Sequence, residues 1–294
     1  MTTAHLLMAL LVIIIWGFNF VVIKVGLASL PPILFSALRF VFAALPLVFF
    51  VKRPAIPWRY LAGYGVLQFA LQFSLLFGGI KLGLAPGLAS LVIQLQAFFT
   101  IGLAVMVLRE RPTRLQFAGA ALGLAGMVLV AVHIDSRATL AGFALVVAAG
   151  MSWAGANLLT KRIGPVDPLA LVGWGSLVAA PPLLIVSLLA DGPQSIASAI
   201  EHLDWVAWGA ILFNAYPNTL LCFGIWAVLV RRYSAATVAP FSLLIPIAGM
   251  ASAALVLGEA MPWWKIGAGA LVLAGLALNQ WDVRARTRGA RSAG

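Results

Sequence analysis

The sequence predicts an all-α integral membrane protein of ten transmembrane helices arranged as two inverted five-helix repeats. Three observations predict it. Of 294 residues, 63% are hydrophobic and only 9% are charged, where a soluble domain carries charge on about a quarter of its residues. The apolar residues fall in ten runs close to the ~20 residues needed to cross a ~30 Å hydrocarbon core. The second half of the chain repeats landmarks of the first at near-constant offsets.

Breaks at charge and Pro/Gly clusters delimit the runs. The first, 4–28, has no basic segment before it and continues past Trp16 into Val21–Lys24, which reads as a retained span and not a cleaved signal. The second, 31–51, opens at Pro31-Pro32 and closes before Lys52-Arg53. The third, 59–81, runs from Arg59 to Lys81, and the fourth, 86–108, from Pro86 to the cluster Arg109-Glu110-Arg111. The fifth, 114–133, runs from Arg114 to His133, and the sixth, 140–160, ends at Lys161-Arg162. The seventh, 168–190, lies between Asp167 and Asp191, and the eighth, 205–230, between Asp204 and Arg231-Arg232. The ninth, 235–257, stops at Gly258-Glu259, and the tenth, 263–281, at Asp282. Continuous apolar runs of this length exclude a β-barrel, whose strands alternate over about ten residues.

Charge sets an expected topology. Placing the C-terminus in the cytoplasm puts 14 Lys/Arg on that side, including Arg284, Arg286, Arg288 and Arg291, against Lys81, Arg137 and Lys265 outside. This agrees with the positive-inside rule, and ten spans then put both termini in the cytoplasm. The net charge of +11 is thereby explained by orientation, so no nucleic-acid partner is expected. The lipid bilayer is the expected surroundings.

Trp16, Lys24 and Pro31 match Trp153, Lys161 and Pro168 at an offset of 137 residues. Gln68, Gln72 and Phe77-Gly78 match Asn214, Asn218 and Phe223-Gly224 at 146, and Glu110 with Leu122 to Leu129 matches Glu259 with Leu271 to Leu278 at 149. The units are 1–134 and 135–283, followed by a basic cytoplasmic tail, 284–294. Five spans per unit is an odd number, so the halves lie with opposite orientation. Inverted repeats recur in secondary transporters, where two similar halves open a central site to alternate sides; duplication without alternating access is the alternative.

These landmarks resemble the drug/metabolite transporter superfamily, specifically its ten-helix EamA family, over nearly the whole length. The carrying residues are the Trp-x-x-Asn of Trp16–Asn19, Pro31 with Ala37-Leu38-Arg39-Phe40, and Glu110 and Glu259 closing the fourth and ninth spans. Within the family the chain is similar to the YddG-type exporters, which implies a bacterial inner-membrane permease exporting amino acids, aromatic ones included. The second half departs from the pattern: Ser176 stands opposite Arg39, and Asn157 falls one residue later than the match of Asn19.

A solute cavity belongs near the midplane, lined by polar or aromatic groups. Gln68 and Gln72, and Asn214 and Asn218, sit near the middle of their spans, and i, i+4 spacing puts each pair on one helix face. Their amides both donate and accept, which suits an ammonium and a carboxylate; hydrogen bonding between helices is the alternative role. Trp16 and Trp153 lie deep in their spans, with Asn19 and Asn157 about a turn on, where a ring can stack on a solute or pack on a helix. Arg39 in the second span either receives a solute carboxylate or is satisfied by the protein itself. Gln94 is a further candidate, and Pro217, Pro240 and Pro246 are candidate hinges or static kinks. Trp58, Trp205, Trp263 and Trp281 at span ends read as interfacial anchors.

The absences also restrict mechanism. All eight carboxylates lie at span ends or in loops, so facilitated movement is expected, with proton coupling open only through Glu110 or Glu259. There is no phosphate-cradling Gly-rich loop, so ATP is not the direct energy source. The lone Cys222 and scattered His5, His133 and His202 offer no metal site or cofactor chemistry. The alternatives are export of other neutral metabolites or drugs and, from a different class, an integral membrane enzyme, for which no interior nucleophile or acid–base pair is present. A monomer is expected, with Gly-rich faces such as Gly119–Gly126 suited to internal packing or to a dimer.

Overall fold

The computed structural model describes residues 1–109, 113–133, 137–233 and 238–292, with backbone alone at residues 108, 137–138, 230–231, 239–240, 279–280 and 282–292. Every regular element among them is helical. In chain order the helices are α1 (Thr3–Ser29), α2 (Pro32–Phe50), α3 (Trp58–Lys81), α4 (Pro86–Val107), α5 (Arg114–Ala131), α6 (Arg137–Ile163), α7 (Pro168–Ala190), α8 (Pro193–Glu201), α9 (Trp205–Leu229), α10 (Phe241–Leu257) and α11 (Trp263–Ser292). Eight of these, α1–α7 and α9, are long and apolar enough to cross a membrane, while α10 and the apolar part of α11, Trp263–Leu278, are shorter.

The ends follow local chemistry. Proline, which has no N–H to leave unpaired, occupies the first turn of α2, α4, α7 and α8. Asp167 accepts from the amides of Leu169 and Ala170, Asp204 from that of Ala207, and Thr113 and Gln116 form a reciprocal capping box on α5. α4 ends on Arg109 and α10 on Gly258, both left-handed, at φ 55° and 65°. These two positions are 149 residues apart, the repeat offset.

Two elements differ from expectation. Residues 191–204 contain the short amphipathic helix α8, too brief and too polar to register as an apolar run. α11 continues through the basic segment as far as Ser292, because Ala and Arg are good helix formers and only Gly289 interrupts them. The backbone of the basic tail expected from 284 is thus helical as far as Ser292 and continuous with α11.

The packing partners exchange when the halves are exchanged. α1 packs on α10 and α9, as α6 packs on α4 and α3; α2 packs on α7 and α5 on α11. Small residues permit the closest approaches: a Cβ at Gly275 would run into the carbonyl oxygen of Gly119, so the Gly119–Gly126 face is spent on α11 inside the molecule. Gly79 and Gly142 do the same between α3 and α6, each Cβ position lying within 2.7 Å of the other's carbonyl oxygen.

The outer surface is apolar. Phe49, Phe50, Met106, Leu189 and Leu255 are more than three-quarters exposed, an arrangement stable against hydrocarbon and not against water. Trp58, Trp205, Trp263 and Trp281 are also exposed, as interfacial anchors require.

Candidate functional site

The regular α-helix is interrupted inside three helices and at the start of a fourth. α3 is π-helical over Val66–Leu71 and α9 over Asn214–Leu221, while α4 tightens to a 3₁₀ turn at Ile93–Leu95 and α10 is preceded and entered by one at Ala239–Leu243. π-Bulges and 3₁₀ turns redirect side chains and leave carbonyls poorly paired. Of the sequence-predicted amides, Gln68, Gln94, Asn214 and Asn218 sit at these interruptions and Gln72 directly follows one, while Asn19 and Asn157 lie in regular α-helix.

Gln68 and Gln72 are buried, and the Gln68 Nε2 donates to Gln72 Oε1 at 3.0 Å. In α9 the amides behave differently: Asn214 Nδ2 donates to its own helix, at Ala210 O, 3.0 Å away, and its fully buried Oδ1 has no partner. Asn218 is buried, and its carbonyl accepts from the indole Nε1 of Trp16 at 3.1 Å. The Trp16 ring also packs against Phe223 and Trp226. Asn19, about a turn along α1, is buried with its Oδ1 unpartnered.

The related side of the molecule uses another residue. The Ser152 hydroxyl donates to Leu67 O at 2.7 Å inside the π-helix of α3, while neighbouring Trp153, half-buried, packs against the main hydrophobic core. Asn157 Nδ2 donates to Gln96 Oε1 and Thr100 Oγ1, at 2.8 and 3.1 Å, joining α6 to α4. Gln94 is buried and turned toward α10, 3.5 Å from Ser242 O. Gln94 and Gln96 thus face different neighbours, as residues two apart on a helix must.

Arg39 is almost completely buried, at 1% exposure. Its Nη2 donates to Thr219 Oγ1 at 3.0 Å, and its guanidinium lies over the Phe73 ring, 3.9 Å from the centroid. The Thr219 hydroxyl in turn donates to Asn214 O at 2.7 Å. Neither Phe73 nor Thr219 was singled out in the sequence, although they stand at matched positions of the repeat, 146 residues apart.

Of the candidate hinges, Pro217 lies inside the π-helix of α9 and Pro246 is buried in α10. The side chain of Pro240 lies outside the described residues, as do Glu110 and Asp135. Glu259 accepts from the backbone N–H of Gly87, at the start of α4, and pairs with Lys265 of α11. His133 stacks on Trp264 and bonds Leu129 O. No cluster of His, Cys, Asp and Glu suited to a metal occurs among the described residues. Away from these groups, a cleft of about 490 Å³ between the α2–α3 and α6–α7 connections is bordered by Lys52, Arg53 and Asp167.

Apolar helices around buried polar residues at equivalent points of two halves raise the question of kinship. The chain matches the EamA-like transporter family twice, over residues 3–132 and 140–280. It belongs to that family. This EamA protein is a multi-pass membrane transporter and not an enzyme. It is 43% identical to the probable amino-acid metabolite efflux pump of Salmonella typhimurium strain LT2, over 98% of each chain. It is 39% identical to the protein of the same description from Escherichia coli strain K12, over 95% of each. A crystal structure of a protein 19% identical superposes with a TM-score of 0.63, covering 97% of this EamA chain and 99% of the other, and shares its fold.

Proposed function

We propose that the chain is a bacterial inner-membrane permease that exports amino acids, aromatic ones included, by alternating access of two inverted five-helix repeats, 1–134 and 135–283. The observation that carries this is the set of buried polar groups at matched interruptions of α3 and α9: Gln68, Gln72, Asn214 and Asn218. Burying amides in a membrane interior costs free energy unless they are used, and Asn19 and Asn214 each keep an unpartnered oxygen able to accept from an ammonium group. The names of the two relatives support amino-acid metabolites as the cargo, and the exchange of packing partners between halves supports the repeat.

Trp16, Asn19, Arg39, Gln68, Gln72, Gln94, Trp153, Asn157, Asn214 and Asn218 make up the proposed solute path, with Pro217, Pro240 and Pro246 as its hinges. Both termini face the cytoplasm, and a monomer suffices. Glu259 is occupied by Lys265 and the Gly87 amide, which fits a facilitated carrier without a proton-binding carboxylate at that position.

Uptake of labelled amino acids into liposomes holding the purified protein tests this reading, with Gln72→Ala, Asn218→Ala and Trp16→Ala beside the wild type. Saturable uptake without an imposed proton gradient, reduced about tenfold or more in the variants, is expected. Uptake of no amino acid by folded, inserted protein would refute it.

A further inference from the structure

Arg39 poses a physical problem that the protein alone does not solve. It lies eight residues into α2 by sequence, where a lone arginine is costly to insert. No carboxylate among the described residues pairs with it. Thr219 supplies one neutral acceptor, at 3.0 Å, while Nε and Nη1 are buried without any partner. A buried, charged donor left unpaired is expensive.

The surroundings define what is left open. Phe73 covers the guanidinium at 3.9 Å from its centroid, and a ring in that position occupies the face while hydrogen bonds form in the plane, at the edges. Nη2 has two hydrogens and gives one to Thr219. Its second stands beside an unpartnered N–H whichever way the first is used, Nη1 on the end-on edge or Nε on the side-on edge. A two-pronged fork therefore remains, the arrangement that matches the two oxygens of a carboxylate.

Position adds a second argument. Besides Phe40 of its own helix, whose ring centroid lies 5.0 Å away, the guanidinium meets Phe73 of α3 and Thr219 of α9, which are equivalent in the repeat and follow Gln72 and Asn218 directly. Arg39 thus joins corresponding points of the two halves, and its own counterpart is the uncharged Ser176. The interior has one guanidinium where full symmetry would have two.

We propose that Arg39 receives the carboxylate of the transported solute, so that a free carboxylate is the feature this carrier requires. The proposal rests on the reading of the chain as an amino-acid carrier and adds its chemical selectivity. A carboxylate is the guest that neutralises one buried guanidinium; a decarboxylated amine or an amide leaves the fork unpaired and adds a cation or a neutral group beside it. Because losing one buried polar partner is costly, sites of this kind reject analogues that lack it by large factors.

The test compares phenylalanine, phenylalaninamide and 3-phenylpropionate in liposomes holding the full chain, with thermal stabilisation of the detergent-purified protein by the same three compounds as a second readout. Wild type is expected to take up phenylalanine at least about tenfold better than the amide and to be stabilised by both carboxylates and not by the amide. Arg39→Lys keeps the charge and loses the planar fork; it is expected to lose most of that preference, as is Arg39→Gln, with folding of each variant checked by gel filtration. Equal uptake of acid and amide by wild type overturns the proposal, as does a folded Arg39→Lys or Arg39→Gln with undiminished preference. Stabilisation by carboxylates without uptake of any amino acid would refute the export reading and support the anion site; absence of both effects would overturn both.

Discussion

α3 and α9 both widen into a π-helix in mid-span, yet the amides there are satisfied in opposite ways. In α3, Gln68 and Gln72 bond each other; in α9, Asn214 bonds its own backbone and leaves an oxygen unpartnered, and Pro217 sits between the two asparagines. The same contrast recurs nearby. A tryptophan of α1 reaches the bulge carbonyl of α9, and a serine of α6 reaches that of α3. Arg39 on α2 answers to Ser176 on α7, which is fully buried with its hydroxyl unpartnered. Backbone devices are shared between the halves, while the polar side chains laid over them differ. A carrier that exchanges conformations between halves needs matched backbone mechanics, but a solute with two different ends needs unlike walls.

The largest expected break in this pairing is at the matched glycines of α5 and α11. Gly275→Leu drives a side chain into the backbone of Gly119 and should abolish a monodisperse folded protein by gel filtration. Gly126→Leu, which meets the Val272 side chain at 2.9 Å and Ala268 O at 3.0 Å, should leave some folded protein with a lowered Tm, since overpacking of this kind costs about 1–3 kcal/mol.

Next come the amides. Gln72→Ala leaves Gln68 without its acceptor and should lower both the Tm and amino-acid uptake, the stability loss being about 1 kcal/mol. Asn214→Ala removes an oxygen that already lacks a partner and a bond to Ala210 O, a carbonyl that keeps the Asn214 backbone N–H, so its Tm should move less while uptake falls about tenfold or more. Equal ratios of transport loss to stability loss in the two variants would remove the functional distinction drawn between the bulges.

Smaller effects are expected where α1 and α6 tie down the bulge carbonyls. Trp16→Phe and Ser152→Ala each delete one hydrogen bond worth roughly 0.5–1.5 kcal/mol, readable as modest Tm losses of similar size. The smallest concerns the helix ends: Arg109→Gly should raise the Tm slightly, by relieving a left-handed residue whose cost is about 1 kcal/mol, whereas Gly258→Ala should lower it.

The helices themselves are legible in sequence because a membrane demands long apolar runs, and Arg39, Asn19 and the four central amides stand out because polar groups inside such runs are rare. What escapes is what hydropathy does not encode. α8 is too short and too polar to form a run. The π-helix of α3, over Val66–Leu71, contains no proline or glycine to mark it. Thr219 and Phe73 are ordinary residues in a span until the fold brings both against Arg39. The partners of Asn157 escape too: its place in the repeat singles it out, and only the fold shows that it bonds Gln96 and Thr100.

The central claim is that the groups between α3 and α9 meet each side of the membrane in turn. Single cysteines at Gln72 and at Asn218, in a Cys222→Ala background, can be probed with a membrane-impermeant thiol reagent in right-side-out and inside-out vesicles. Alternating access predicts labelling of both positions from both faces, suppressed by saturating phenylalanine. Labelling of either position from only one face, or from neither, in protein that still transports would contradict the account.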